Sequence, residues 1–177
     1  TAALLGARVR FENGVIGTIG VDAQYTNPRE LPTTNGYFVD FSTGMADGGE
    51  VCVGDPAAFV GEVVRRGDRV IGKSLDDRAG CAILIEALRR VREQGTPHHV
   101  YFVFTVQEEG GARGAGPAAY GIDPHLALVV DCTGTGDTPK GRPLALTLGG
   151  GAAIKARDAR LLVPAAVRDL LIERAEA

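Results

Sequence analysis

Three apolar runs in this chain each end in carboxylate, and few folds accommodate that arrangement. Arg69-Val70-Ile71-Gly72-Lys73 leads through Ser74-Leu75 into Asp76-Asp77. His99 to Gln107 is almost continuously apolar and stops at Glu108-Glu109. Leu126 to Val130 stops at Asp131. Behind the first acid pair, Cys81, Leu84, Ile85, Leu88 and Val91 recur at the spacing of an amphipathic helix. That spacing predicts a helix from about Asp77 to Gln94, with Gly95 as its stop and Pro97 beyond. Carboxylates at the point where a strand gives way to a helix lie at the carboxyl end of the strand. In open α/β sheets that is where sites are built.

The rest of the second half follows the same rhythm. The run at 99–107 lacks polar alternation, as a strand covered on both faces should. Ala112 to Tyr120 reads as a short helix closed by Gly121, and Leu144 to Leu148 as another strand. Pro164 suits the first turn of a last helix carrying Val167, Leu170 and Leu171. Strands alternating with helices imply βαβ units and a mainly parallel sheet with flanking helices, from residue 69 to 177.

Residues 1–68 have a different texture. Ala7 to Phe11 alternates apolar and polar, Glu12-Asn13-Gly14 supplies an Asn-Gly hairpin turn, and Val15 to Ile19 returns. Residues 22–36 read as a long loop. Tyr37 to Phe41, Val51 to Val53, Ala58 to Val60 and Glu62 to Val64 continue as short strands. This spacing suggests a small all-β barrel or sandwich, a module for packing or self-association.

Composition narrows the function. A net charge of −3 argues against a nucleic-acid surface, which needs clustered Lys and Arg. No window holds the ~18 uninterrupted apolar residues of a membrane span, and no signal-peptide pattern opens the chain. Cys52, Cys81 and Cys132 are odd in number and lack metal-ligand spacing, so a reducing cytoplasm is the expected compartment.

Asp76, Asp77, Glu108, Glu109 and Asp131 are expected to converge at one edge of the sheet. Carboxylates so gathered repel, and burial sharpens the repulsion. Arg78 and Arg113 are too few to balance them. Divalent cations can, because carboxylates ligate zinc, cobalt, manganese or magnesium, and one carboxylate can bridge two ions. Any single acid pair has a plainer reading as solvated loop charge, and Asp77 could simply cap its helix. The same ending on three separate runs favours the metal.

Ser74 to Ala82, Tyr101 to Glu109, Ala119 to Pro124, Val130 to Thr133, Gly136 to Pro139 and Gly149 to Lys155, taken in order, resemble the tetrahedral-type metallo-aminopeptidases. These are metallopeptidase family forty-two of clan MH, glutamyl and leucyl aminopeptidases, some of which carry an endoglucanase name. The resemblance implies a catalytic α/β domain with two divalent metal ions, zinc or cobalt, interrupted by a PDZ-like dimerisation barrel. Residues 1–68 would be that barrel and 69–177 the catalytic core, each incomplete at one end. It implies that Asp76 bridges the metals, that Asp77 supports it through a cis peptide, and that Glu109 and Asp131 each bind one ion. Glu108 would be the general base. Peptides would be the substrates, and the family's dodecamers would assemble through the barrel.

The family also uses two histidine ligands. His98 and His99 precede the central run, His125 precedes the Asp131 run, and none is placed for the site. The chain is therefore expected to be the middle of such an enzyme, binding metal weakly and turning over little peptide. Two alternatives remain open. One is a non-catalytic remnant that keeps the barrel for assembly. The other is a glycoside hydrolase, which needs carboxylates on opposite sides of a sugar. Gly110 to Gly116 lacks the Gly-Lys-Ser/Thr ending of a phosphate loop. Cys132 has no histidine to activate it as a nucleophile.

Overall fold

A computed structural model describes residues 4–22, 36–41, 50–137 and 139–177. It is a mixed α/β structure of two compact units, Thr1–Leu75 and Asp76–Ala177. Most of the long loop expected at 22–36 lies outside the described residues.

The first unit is antiparallel. Strands β1 (Arg8–Phe11), β2 (Ile16–Val21), β3 (Tyr37–Asp40) and β4 (Ala57–Phe59) form one sheet in the order β3-β2-β1-β4. The β1–β2 hairpin closes where Asn13-Gly14 places it. Gly14 takes φ +92°, its N–H donates to the Phe11 carbonyl at 2.9 Å, and Asn13 Oδ1 accepts the Val15 N–H at 3.1 Å. Val9 and Val15, 6% and 3% exposed, are the buried hydrophobics among the described residues. Phe11 meets Phe41 edge to face at 5.4 Å between ring centres. Gly17 and Gly20 leave β2 bare, and the side chains of Val39, Phe41 and Phe38 fill the space their missing Cβ atoms would occupy.

The strand expected at Val51 to Val53 is a turn instead. Asp55 Oδ2 accepts the Cys52 N–H at 2.7 Å while the Asp55 N–H reaches back to the Cys52 carbonyl, a local bond that competes with any ladder. Strand β5 (Val64–Arg66) pairs antiparallel with β6 (Arg69–Ile71) across a two-residue turn, Gly67-Asp68, with Gly67 at φ +62°. The run expected to open a parallel sheet is thus the second arm of a hairpin. The Gly-Asp turn decides this, because its left-handed residue suits strands folding directly back. Among the described residues the four-stranded sheet is open, with β3 and β4 at its edges, and no barrel closes.

The second unit carries three helices. Helix α1 spans Leu75–Gln94, and Gly95 ends it at φ +74° with its N–H on the Val91 carbonyl. Cys81, Leu84, Ala87 and Val91 form its half-buried stripe, while Ile85 and Leu88 are exposed. Helix α2 spans Ala115–Ile122 and runs past Gly121. Asp123 caps it in the left-handed region at φ 49°, a conformation aspartate tolerates, and Pro124 prevents continuation. Helix α3 spans Ala165–Glu176 behind Pro164.

Among the described residues, the paired strands are antiparallel. Among those same residues, the runs at 99–107, 126–130 and 144–148 belong to no strand ladder. Tyr101, Val106 and Val129 are 64%, 69% and 80% exposed. A parallel sheet needs helices over both faces, and these runs have no such cover. Leu144 to Leu148 is tied to the preceding loop by the Gly136 N–H on the Leu146 carbonyl at 3.1 Å and by its own Leu148 N–H on Asp137 Oδ2 at 3.3 Å.

Candidate metal centre

Asp76 and Asp77 open α1 without belonging to its regular part. Their backbones are non-helical (Asp76 φ −87°, ψ 108°; Asp77 φ −115°, ψ 47°), and the peptide between them is cis. The regular helix starts behind Asp77, whose Oδ1 accepts the Gly80 N–H at 3.0 Å. That is an N-cap bond, satisfying one of the helix's unpaired donors. Gly80 is buried, and a Cβ there would stand 2.5 Å from Asp77 Oδ1 and 2.8 Å from its Cγ. A side chain at position 80 would therefore displace the capping carboxylate. Sequence reasoning passed Gly80 over, though a glycine three residues after an acid and inside a helix pattern was the available signal.

The thiol of Cys132 donates to the same Asp77 Oδ1 at 3.6 Å. One donor atom from each of Asp76, Asp77 and Cys132 lies within 4.8 Å of the others. Partial desolvation raises the Cys132 thiol above its ordinary value, the hydrogen bond to Asp77 adds to this, and the charges of Asp77, Asp76 and Asp131 push the same way. Without a cation the sulfur stays protonated, the opposite of an activated nucleophile. Cys132 was missed as a donor because 55 residues separate it from Asp77, so no local spacing exposes the pair.

The other expected residues are placed differently. Asp131 Oδ1 accepts the Cys132 N–H at 2.7 Å and is near enough to act on the thiol. Glu108 and Glu109 sit in a tight turn, where the Glu108 carbonyl accepts the N–H groups of Gly111 and Ala112 at 2.8 and 2.7 Å. Among the described residues, no set of three donors within 4.8 Å of one another includes Glu108, Glu109 or Asp131. His98, His99 and His125 are exposed and outside the group. An open cleft of about 770 Å³, lined by Arg8, Arg10, Phe59 and Lys73 among others, belongs to the first unit and contributes none of these residues. Two carboxylates and a thiol suit a borderline cation such as zinc or cobalt, so the donor set fits a divalent metal.

The M42 glutamyl aminopeptidase description matches residues 2–177. The chain belongs to the M42 aminopeptidase family. It is 41% identical over 174 residues to an Acetivibrio thermocellus protein described as a candidate aminopeptidase, covering 97% of this chain and 52% of that one. A glutamyl aminopeptidase from Lactococcus lactis is 35% identical over 72 residues, 41% of this chain and 20% of that protein. Among solved structures, an aminopeptidase from the archaeon Desulfurococcus kamchatkensis superposes with a TM-score of 0.78 at 34% identity, covering 98% of this chain and 51% of that one. A Thermotoga maritima structure titled endoglucanase superposes with a TM-score of 0.72 at 31% identity, covering 98% and 52%. The chain thus spans about half the length of these longest matches. M42 peptidases are metal-dependent hydrolases, consistent with the donor group at Asp76. No helix among the described residues is long and apolar enough to cross a membrane.

Proposed function

We propose that this chain is the metal-holding core of an aminopeptidase that removes N-terminal residues from peptides. The observation that carries the reading is the gathering of Asp76, Asp77 and Cys132 donor atoms at the start of α1, in a chain that belongs to the M42 family. Asp76, Glu109 and Asp131 would hold the divalent ions, with Asp76 shared between them, and Asp77 would support Asp76 from its capping position. Bound zinc or cobalt would supply Lewis acidity for the scissile carbonyl and lower the pKa of the attacking water. Glu108 takes the proton of that water and returns it to the leaving amine. Adjacent side chains need not face the same way, so Glu109 can hold metal while Glu108 handles the proton. Residues 1–68 serve as the self-association domain and 69–177 as the catalytic core, in a cytoplasmic enzyme.

Two histidines complete the ligand set that the family resemblance implies, and none of this chain's three lies in the donor group. The 177 residues alone are therefore expected to bind metal weakly and turn over little substrate. The test is release of N-terminal residues from short peptides by the protein from its native source, with and without chelator. Turnover should vanish on chelation and return with zinc or cobalt. Glu108→Gln should lower it by about 10²-fold or more. Peptide turnover that survives chelation would sink the reading. Cellulose hydrolysis in its place would favour the glycosidase.

A further inference from the structure

The turn that carries Glu108 and Glu109 is closed by a backbone clasp. The Gly114 N–H donates to the Val106 carbonyl at 3.1 Å, and the Arg113 N–H donates to the Gln107 carbonyl at 3.2 Å. The Arg113 guanidinium Nε donates to the Gly110 carbonyl at 3.2 Å. Two residues inside the clasp, Gln107 at φ 56° and Ala112 at φ 55°, are non-glycine residues in the left-handed region, a conformation that costs energy unless its surroundings hold it. Gly114 provides that hold. A Cβ at position 114 would stand 2.7 Å from the Val106 carbonyl oxygen, 2.8 Å from the Val106 nitrogen and 3.2 Å from Thr105 Cβ. Two of these neighbours are backbone and cannot swing aside.

We propose that Gly114 is a positioning residue for Glu108 and Glu109. Its missing side chain lets the N-terminus of α2 seat against Val106, and this fixes the direction of the acid pair. The proposal rests on the reading of Glu109 as a metal ligand. Opening the clasp from either end should have the same consequence. Gly114→Ala opens it by contact, and Gln107→Val opens it because a β-branched residue disfavours the left-handed region. Gly116→Ala is the control, since nothing lies within 4 Å of its Cβ position and helix α2 accepts alanine there.

The experiment is a Co²⁺ titration of the chelator-stripped 177-residue chain, followed by visible absorption. Helix content from circular dichroism is compared across variants. Gly114→Ala and Gln107→Val should each weaken Co²⁺ binding about 10-fold or more at unchanged helix content, with Gly116→Ala like wild type. Wild-type affinity in both clasp variants would overturn the proposal. Glu109→Gln separates it from the underlying reading. If that change leaves Co²⁺ binding intact, Glu109 is not a ligand, and amide exchange at Arg113 and Gly114 decides the clasp alone. Protection in wild type that Gly114→Ala removes supports it. Amides unprotected in wild type, or still protected in the variant, refute it.

Discussion

Asp77 does two things with one carboxylate. Its Oδ1 caps α1 through the Gly80 N–H and also receives the Cys132 thiol. The plain reading of Asp77 as a helix cap and its supporting role beside Asp76 are therefore compatible, because a cap bond fixes the carboxylate next to its neighbour. Gly80→Ala should destabilise the second unit by about 1–3 kcal/mol, since the new methyl displaces the carboxylate. Asp77→Ala, which removes the cap and the exposed acceptor of the Cys132 thiol without adding a clash, should cost about 1 kcal/mol. Urea unfolding followed by helix signal distinguishes the two. A second capping acid makes a pH prediction. Asp158 Oδ1 accepts the N–H groups of Arg160 and Leu161, each at 2.8 Å, and Lys155 lies 3.2 Å away. These backbone bonds first, and Lys155 after them, hold its carboxyl below the usual carboxylate range. With the folded value depressed, the turn gains stability above the ordinary carboxylate pKa and loses it as pH falls through the folded value. Protection of the Arg160 and Leu161 amides, measured against their intrinsic exchange rates, should be lost only in that acid window. Asp158→Asn, which cannot titrate, should remove the pH dependence.

Among elements, β2 shows two different uses of glycine close together. Gly14, in the turn before it, has open space around its Cβ position but needs φ +92°. Gly17, within it, has an ordinary φ but is covered by Val39 and Phe41. Gly14→Ala should cost about 1 kcal/mol through backbone strain alone. Gly17→Ala should cost about 1–3 kcal/mol by overpacking. A second change, Val39→Ala, should recover part of the loss at 17 and none at 14, which thermal melting of the three variants can check. The hairpin was legible because Asn-Gly is a local signal. The β5–β6 hairpin was equally local, through Gly67-Asp68, although the apolar look of Val70-Ile71 suggested a strand of the second half. Helix α1 was legible to within two residues at its start, because its periodicity and its glycine stop are both local.

For the molecule as a whole, exposure is the deciding property. Val100 to Val106 and Leu126 to Val129 combine high hydrophobicity with little burial. Among the described residues, 99–105 and 124–130 make no backbone–backbone hydrogen bond. Such segments bind apolar dyes and exchange amide protons freely. The purified 177-residue chain should therefore enhance anilinonaphthalene sulfonate fluorescence. It should also show fast exchange at 99–105 beside slow exchange in β1 and β2. Slow exchange at 99–105 in the chain alone would mean that these runs find a ladder after all.

The sequence by itself determined the hairpin at Asn13-Gly14, the extent of α1, the order of the acidic motifs and the family they belong to. Each rests on residues that are neighbours along the chain. Tertiary structure decided the rest. It brought Cys132 to Asp77, set Gly80 and Gly114 against neighbours that a side chain would displace, and turned β6 back on β5. Among the described residues it also left the central apolar runs largely exposed. Those outcomes depend on which atoms meet across long stretches of chain and on what covers an apolar surface. Neither is carried by local spacing.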